Sequence, residues 1–394
     1  DQETLRLRSA VAADDAASPD YLAALAGAAV SRGNSFDVLQ NGVEILPAML
    51  EAIAAARERI SFETFIFEDG QVARDFVQAL TAAARRGVEV RLVIDDLGAS
   101  GVAPEHLDAL RAAGCTVRSY NRAAWYELEE VNYRTHRKIL VVDGRLAFTG
   151  GVGVADHWLG NAEDPDHWRD TQVRMRGPVA RLLEASFYEN FIEGTDIVTP
   201  ALADPQAIVA AGHEADAPTL VVRSSATDGS SDMKRLYLMI IASARRTIDI
   251  TTPYFVSDES SRWALHDAAS RGVRIRLLTE GDVTDAPPVK YASRRSYDGL
   301  LAAGLEIHEY LPTMMHTKTM GVDGAWSMFG SANFDNRSLE LNDELNVAVY
   351  DRALAATFAA AFERDLSRSH HLTLEAFRSR PVKEKAREWF WGYW

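Results

Sequence analysis

A histidine, a lysine and an aspartate recur with one spacing at two places in this 394-residue sequence. Each copy reads His-x-Lys-x4-Asp-Gly, and a turn of small residues begins seven positions after each aspartate. The copies consist of His136, Lys138 and Asp143, and of His316, Lys318 and Asp323. One such pattern can arise by chance, but two with identical spacing indicate a duplicated unit. We therefore expect one site built from two halves.

The histidine and lysine of each motif suit chemistry on a phosphate. A strand over Arg137–Val142 would point His136 and Lys138 to the same side, because residues two apart share a face. A neutral imidazole is a nucleophile, and a neighbouring ammonium favours that neutral form and attracts a phosphate oxygen. Lys138 and Lys318 on opposite sides of one phosphate would stabilise a five-coordinate transition state without a metal or other cofactor. A lone His-x-Lys is more often part of a half-exposed strand, but the repetition favours catalysis.

The small-residue turns after the two motifs are predicted to contact the phosphate as well. Ser331 and Asn333 follow the second motif, and Gly151 follows the first. The position equivalent to Asn333 in the first half is Gly153, so that half lacks one donor unless a backbone N–H replaces it.

Asp143 and Asp323 are each followed by a glycine, a pair typical of turns. We therefore expect these two carboxylates to hold the turn of each motif, with no part in proton transfer.

The overall composition limits the possible function. The net charge is -15, which argues against broad binding to nucleic acid. Hydrophobic residues make up 47% of the chain, enough for a large core. The single cysteine, Cys115, excludes an intramolecular disulfide. No apolar run reaches the roughly 18 residues that a membrane span needs. The first residue is Asp1, which leaves open an upstream signal or anchor.

Alternating helices and strands position the motifs. The predicted elements of the first half are a turn at Asn41-Gly42, helix Pro47–Arg59, strand Ile60–Phe67, helix Val72–Arg86, strand Val88–Ile94 and helix His106–Ala113. The second half repeats the landmarks in order, for example Arg271-Gly272-Val273 for Arg86-Gly87-Val88. This predicts an α/β fold of two duplicated α/β/α sandwich halves with mixed central sheets, related by a pseudo-twofold axis, with one active site at their interface.

The same patterns divide the chain. The predicted segments are an N-terminal helical segment 1–33, a first half 34–194, a linker 195–218, a second half 219–377 and a basic aromatic tail 378–394. Ten extra residues in the first half fall within 121–134, directly before the first motif. This insertion either lies beside the site or forms a plain surface loop.

The two motifs, with Gly-Ser-Ala-Asn at 330–333, resemble those of the phospholipase D superfamily, and the likeness extends from about Asn34 to Arg380. Within that superfamily, the sequence resembles the bacterial cardiolipin synthases most. The segments that carry this likeness are 33–53, 252–255, 167–170 and 333–344.

The resemblance implies a two-step reaction through a phosphohistidine. One histidine attacks phosphorus, and the other protonates the leaving alcohol and then activates the incoming one. Likeness to the family favours His136 as nucleophile and His316 as acid and base, although the residues alone do not distinguish them. Such a pair implies a bell-shaped pH profile. Asp170 and Glu344 match the family's carboxylates that orient the histidines crosswise between the halves, with Asp343 as a competing neighbour of Glu344.

The function implied by the resemblance is a phosphatidyltransferase that converts two phosphatidylglycerol molecules to cardiolipin and glycerol. The alternatives are hydrolysis of phospholipids to phosphatidic acid and a phosphodiesterase or nuclease of the same superfamily. The acidic chain argues against nucleic acid as a partner. A non-catalytic lipid-binding relic is a third reading, and two intact His-Lys pairs oppose it. The expected partners are a phospholipid substrate and a membrane surface, and the expected oligomeric state is a monomer with an internal pseudo-dimer.

The tail 378–394 carries five basic and two acidic residues and ends in a cluster of aromatic residues. This combination is typical of a segment at a membrane surface. The other reading is a terminal helix docked on the core. We expect the protein at the bacterial inner membrane, either peripheral on its cytoplasmic side or tethered by an N-terminal anchor that the sequence lacks.

Overall fold

A computed structural model describes residues 4–120, 134–192, 217–225 and 232–391. The predicted insertion at 121–134, apart from its last residue, lies outside the described residues, as does most of the predicted linker. Within the described ranges, the chain forms two mixed sheets with helices around them, one sheet for each half. The predicted mixed α/β fold with two halves is confirmed.

The sheet of the first half contains seven strands, in the order β2-β8-β7-β6-β3-β4-β5. In chain order they are β2 Ser35–Gln40, β3 Arg59–Thr64, β4 Glu89–Asp95, β5 Thr116–Tyr120, β6 Ile139–Val142, β7 Leu146–Gly150 and β8 Thr171–Arg176. The neighbours β3, β4 and β5 run parallel, whereas the other pairs are antiparallel.

The sheet of the second half repeats this order and adds one strand at each edge. Its order is β1-β9-β15-β14-β13-β10-β11-β12-β16. Its strands are β1 Val30–Ser31, β9 Thr219–Ser224, β10 Thr247–Thr251, β11 Arg274–Glu280, β12 Glu306–Tyr310, β13 Thr319–Val322, β14 Trp326–Gly330, β15 Glu344–Tyr350 and β16 Ser369–Leu372. The strand within each motif, β6 or β13, is therefore central in its sheet.

Helices cover both sheets. In chain order they are α1 Ser18–Ala26, α2 Asn41–Ala55, α3 Gln71–Arg85, α4 Pro104–Ala112, α5 Val179–Ile192, α6 Asp232–Ser243, α7 Glu259–Ser270, α8 Pro287–Arg294, α9 Tyr297–Ala302, α10 Asn336–Glu340, α11 Arg352–Leu366, α12 Leu374–Ser379 and α13 Val382–Trp391. None of these described helices combines the length and the apolar character needed to cross a bilayer.

The local predictions differ from the structure where tertiary contacts decide the backbone. Asn41-Gly42 is the start of α2 and not a turn, because the Asn41 N–H donates to the carbonyl of Asp170 at 3.0 Å. The strand predicted over Arg137–Val142 begins only at Ile139. The residues before it instead pair across to the other half through a bridge between Thr135 and Asp343.

The two halves share a hydrophobic core. Residues from both halves are buried together, among them Ile139 and Phe187 of the first half with Phe329 and Leu345 of the second. Each buried side chain of this size stabilises the fold by about 1.5–3 kcal/mol. The N-terminal segment belongs to this second half, since α1 packs its buried Leu22 into the core there and β1 extends the sheet. The motifs are thus held at a rigid interface.

Candidate active site

Each motif histidine is anchored by the backbone of the opposite half. The N–H of His136 donates to the carbonyl of Asp343 at 2.9 Å, and the N–H of His316 donates to the carbonyl of Arg169 at 2.8 Å. Asp343 precedes Glu344, and Arg169 precedes Asp170. These backbone bonds therefore place the carboxylate of each half next to the histidine of the other half.

The carboxylates bind the Nδ1 atoms of the histidines crosswise. His136 Nδ1 lies 2.9 and 3.1 Å from the Glu344 oxygens, and His316 Nδ1 lies 2.8 Å from Asp170 Oδ2. Asp343, the competing neighbour, instead accepts a bond from the Tyr120 hydroxyl at 2.7 Å. The pairing fixes each imidazole ring and leaves its Nε2 atom for chemistry.

The two lysines are held beside their histidines by a backbone bond rather than by strand alternation. Lys138 Nζ donates to the carbonyl of His136 at 2.9 Å, and Lys318 Nζ donates to the carbonyl of His316 at 2.6 Å. Both lysines are at least 96% buried. Their positive charges therefore face the same interface from both sides.

Burial and mutual repulsion shift the four motif side chains toward neutral forms. Burial lowers the pKa of Lys138 to about 7 and that of Lys318 to about 8. Burial and then the two lysines bring the pKa of His316 well below its usual 6.5, and burial also lowers the pKa of His136. An anion bound between the lysines would reverse these effects, because it favours every positive charge nearby. The site is thus suited to a phosphate.

The two orienting carboxyls differ in how readily they ionise. Burial favours the neutral form of Glu344, but His136, Lys138 and a hydrogen bond from Ser331 together hold its pKa below the usual value. Burial raises the pKa of Asp170 to about 6 against the pull of Lys318. Glu344 is therefore the more firmly ionised partner.

The structure places the small-residue turns behind the carboxylates. The Ser331 hydroxyl donates to Glu344 Oε2 at 2.5 Å, and its N–H donates to the carbonyl of Leu345. A Cβ on Gly151 would lie 2.3 Å from an oxygen of Asp170. Ser331 and Gly151 thus lie directly against the two carboxylates, and the predicted contact of each with a phosphate stays a prediction.

Packing explains why the first half has Gly153 at the position where the second half has Asn333. A Cβ there would lie 3.1 Å from both Ile66 and the ring of Trp158. An asparagine would not fit without moving the tryptophan. Its counterpart Asn333 is only 6% exposed and lines the cavity described below.

The two histidines have different surroundings. Trp158 and Trp168 pack against His316 with ring centroids at 5.5 and 5.4 Å, and the indole N–H of Trp158 donates to Asp170 at 3.0 Å. In contrast, His136 contacts Phe65 at 5.2 Å and faces a cavity of about 520 Å³. Sequence reasoning gave neither tryptophan a role at the site, although Trp168 lies in the segment 167–170 that carries the family resemblance.

The motif aspartates Asp143 and Asp323 lie at the turns. Asp143 accepts the backbone N–H groups of residues 57–59 at 2.8–3.3 Å, and Asp323 accepts those of residues 245–247, each at 2.8 Å. Both have positive φ, 54° and 53°. These contacts join each turn to the start of a neighbouring strand.

One group among the described residues has ligand spacing for a metal ion. Glu163, Asp164 and His167 bring three ligand atoms within 4.8 Å of one another, and all three are at least partly exposed. None belongs to the motifs or to the crossed pairs.

Comparisons with known proteins cover the part of the chain that contains this site. A family model described as the PLD-like domain of cardiolipin synthase matches residues 49–163 and 237–366, which contain both motifs. A probable cardiolipin synthase of Bacillus subtilis is 31% identical over 92% of this chain and 72% of its own length. A cardiolipin synthase of Geobacillus kaustophilus is 32% identical over 91% of this chain and 71% of its own length.

A solved structure shows the same fold at lower identity. The crystal structure of a phosphatidylserine synthase from Haemophilus influenzae superimposes with a TM-score of 0.72. It is 12% identical and covers 95% of this chain and 99% of its own. The fold of this chain, with its two sheets, is therefore a known architecture.

Proposed function

The chain belongs to the cardiolipin synthase family of the phospholipase D superfamily, and from this premise we propose that it converts two phosphatidylglycerol molecules to cardiolipin and glycerol. The observation that carries the proposal is the pair of crossed His–carboxylate contacts at the interface of the halves. Each half supplies one histidine and one lysine, so one chain suffices as a monomer.

The proposed reaction has two steps at this site. One imidazole attacks the phosphorus of the first phosphatidylglycerol, and the other imidazole protonates the glycerol that leaves. The resulting phosphatidyl-histidine is then attacked by a hydroxyl of the second phosphatidylglycerol, which gives its proton to the second imidazole. Lys138, Lys318 and the amide N–H group of Asn333 would stabilise the charge on the phosphoryl oxygens.

The test is a product assay with the purified protein. Vesicles of phosphatidylglycerol are incubated with the enzyme, and lipids and glycerol are quantified by mass spectrometry. We expect equimolar cardiolipin and glycerol. Phosphatidic acid alone would identify a hydrolase instead, and no product in either class would refute the proposed enzyme.

We also propose that the protein acts at the surface of a bacterial membrane, with α13 as the docking helix. One face of α13 is fixed to the core, since the buried Glu388 binds Arg294 at 3.1 Å. At its end, Trp389 and Phe390 are 65% and 51% exposed, beside Trp391 in the wall of the cavity. Docking on the core and the proposed contact with a membrane thus involve different faces of one helix, and a docked membrane would lie at the cavity.

Vesicle flotation tests this docking surface. Removing the Phe390 ring deletes part of an apolar contribution of about 1.5–3 kcal/mol, so Phe390→Ala should weaken binding by roughly tenfold. Val382→Ala is the matched control, because Val382 is 80% exposed at the opposite end of the same helix. Equal binding by both variants and the parent protein would exclude α13 as the docking helix.

A further inference from the structure

We propose that Glu63 is a positioning residue for the first motif: its buried carboxylate holds Thr135, and thereby the histidine that follows it, in the geometry that transfer requires. Glu63 lies on β3, the strand that pairs with β6 of the motif. The proposal rests on the transfer reaction proposed above and adds a residue that supports it from the core of the first half. Its basis is a network of buried polar contacts behind the motif.

The carboxyl of Glu63 accepts two hydrogen bonds at one oxygen. Its Oε1 atom accepts the hydroxyl of Thr135 at 2.5 Å and an amide N–H of Asn190, a residue of α5, at 2.7 Å. The amide of Asn190 also donates to the hydroxyl of Thr135 at 3.1 Å. Each of these three side chains is at most 7% exposed. They form a closed triangle of contacts, so the position of Thr135 depends on the carboxyl.

Thr135 connects this triangle to the motif. Its N–H donates to Oδ2 of Asp95 at 3.2 Å, and it forms a bridge with Asp343 of the other half. The next residue, His136, donates its N–H to the carbonyl of Asp343, and its own carbonyl accepts a bond from Lys138 Nζ. A displacement of Thr135 would therefore move both motif side chains of this half.

The second half has different residues at the equivalent positions. The register of the sheets aligns Glu63 with Thr251, and the repeat aligns Thr135 with Met315. Met315 is fully buried in an apolar cluster with Leu278, Tyr310 and Phe362. An apolar side chain packs in the same way at every pH, whereas the first motif is held by a group that gains and loses a proton.

Burial makes the ionised form of Glu63 costly. It raises the pKa of this carboxyl to about 7, while Arg137 and the bonds from Thr135 and Asn190 oppose the rise, and Asp343 adds to it. Oε2 of Glu63 and Nε of Arg137 are both buried and have no hydrogen-bond partner among the described residues. The carboxyl therefore changes its charge near neutral pH.

Other titratable groups lie on the elements packed against this side of β3. They are Arg91 and Asp95 of β4, Arg118 of β5, and Glu184, Tyr188 and Glu189 of α5. The three on α5 bind arginines, namely Arg59, Arg91 and Arg137 respectively. Arg137 is the main positive charge that acts on Glu63.

Glu63 acts on the motif through position and not through its electric field. Burial, followed by the carboxylate and the two lysines of the site, sets the pKa of His136, and Glu63 is not among these main groups. Hydrogen bonds to an ionised acceptor are roughly twice as strong as those to a neutral one. The charge of Glu63 therefore strengthens its hold on Thr135. A buried carboxyl that costs stability in this way is retained where function needs it.

Glu63→Gln separates a positioning role from a structural one, because glutamine keeps the shape and removes the charge. The pKa of Glu63 is raised on folding, so its ionisation destabilises the folded chain as pH rises from about 4.5 to about 7. Glu63→Gln should therefore resist urea better than the parent protein at pH 8 and by a smaller margin at pH 5. Its kcat at pH 8 should nevertheless fall by roughly 10- to 100-fold, with KM changed by less than about twofold. An unchanged kcat, or a loss of stability at pH 8, would overturn the proposal.

Variants of Thr135 test the contact itself. Thr135→Ser keeps the hydroxyl and should keep kcat within about threefold of the parent, whereas Thr135→Val should match Glu63→Gln. The double variant should lose no more than either single one, because both remove the same contact. Glu184→Gln is the control, since Glu184 is equally buried in this half but binds Arg59. It should lower stability and leave kcat unchanged, and additive losses in the double variant would contradict the proposal.

A measurement without turnover separates this proposal from the proposed function. In protein labelled with carbon-13 at the glutamate carboxyls, NMR should show Glu63, identified by its absence from Glu63→Gln, titrating with a midpoint near 7. The amide signal of Thr135 should follow this midpoint in the parent protein and not in the variant. A midpoint near 4.5, or a Thr135 amide that responds equally in both proteins, would refute the positioning role. Absence of cardiolipin with the parent enzyme would instead refute the proposed function.

Discussion

Replacement of Glu344 by glutamine tests how the site stabilises charge. Glu344 is fully buried, binds His136 at 2.9 and 3.1 Å and accepts the hydroxyl of Ser331 at 2.5 Å. Glutamine keeps the shape but removes the negative charge. A hydrogen bond to a charged group contributes about 1.5–3 kcal/mol, and each ~1.36 kcal/mol is a factor of ten in rate. We therefore expect kcat/KM for phosphatidylglycerol to fall by about 10- to 150-fold in Glu344→Gln.

The pH profile of the same variant gives an independent reading. Burial lowers the pKa of Lys138 to about 7, and the charge of Glu344 opposes that effect. Without this charge the pKa falls further, so the alkaline loss of activity should begin at a lower pH. The matched control is Asp343→Asn, which removes a neighbouring charge that bonds Tyr120 and leaves the backbone contact to His136 in place. An equal loss in both variants, with an unchanged alkaline limb in Glu344→Gln, would refute the reasoning.

Three other outcomes follow from the contacts described. Lys138 and Lys318, with pKa values of about 7 and 8, lose their charge as pH rises, so kcat/KM should fall on the alkaline side. In Lys318→Arg the arginine stays charged, so only the loss of activity that follows Lys138 should remain. A pH profile identical to that of the parent enzyme would contradict this. Asp323→Ala leaves three backbone donors without their acceptor, and urea unfolding should show a loss of about 1–3 kcal/mol, whereas no loss would contradict the turn-holding role. Gly153→Asn should lower stability by about 1–3 kcal/mol through overpacking, while Gly299→Asn, with open space around it, should change it by less than about 0.5 kcal/mol; equal effects would show that Trp158 yields freely.

The duplication and the fold were predictable because the repeat of His136 and His316 is a property of spacing alone. The mixed sheets could be predicted from the alternation of helices and strands, because the hydrophobic periodicity of each element is visible in the local sequence. The strand starts at the motifs were not predictable in the same way. Residues before Ile139 pair with the other half, and such long-range pairing has no local signal.

The inequality of the two sides was only partly visible in the sequence. Gly153 marked it, but the cause is the position of Trp158, which packs against His316 and donates to Asp170. The buried amide oxygens of Asn336 and Asn342, which have no hydrogen-bond partner among the described residues, are also a tertiary property, since they depend on what surrounds each side chain. A repeat in sequence thus predicts a shared site, while packing makes the surroundings of its two histidines different.

The stereochemical course at phosphorus tests the central claim most directly, namely that transfer proceeds in two displacements through a phosphatidyl-histidine. A phosphatidylglycerol made chiral at phosphorus with sulfur and oxygen isotopes is transferred to glycerol, and the configuration of the product is determined by phosphorus NMR. Two successive in-line displacements predict retention of configuration. Inversion would indicate a single displacement and would contradict the account.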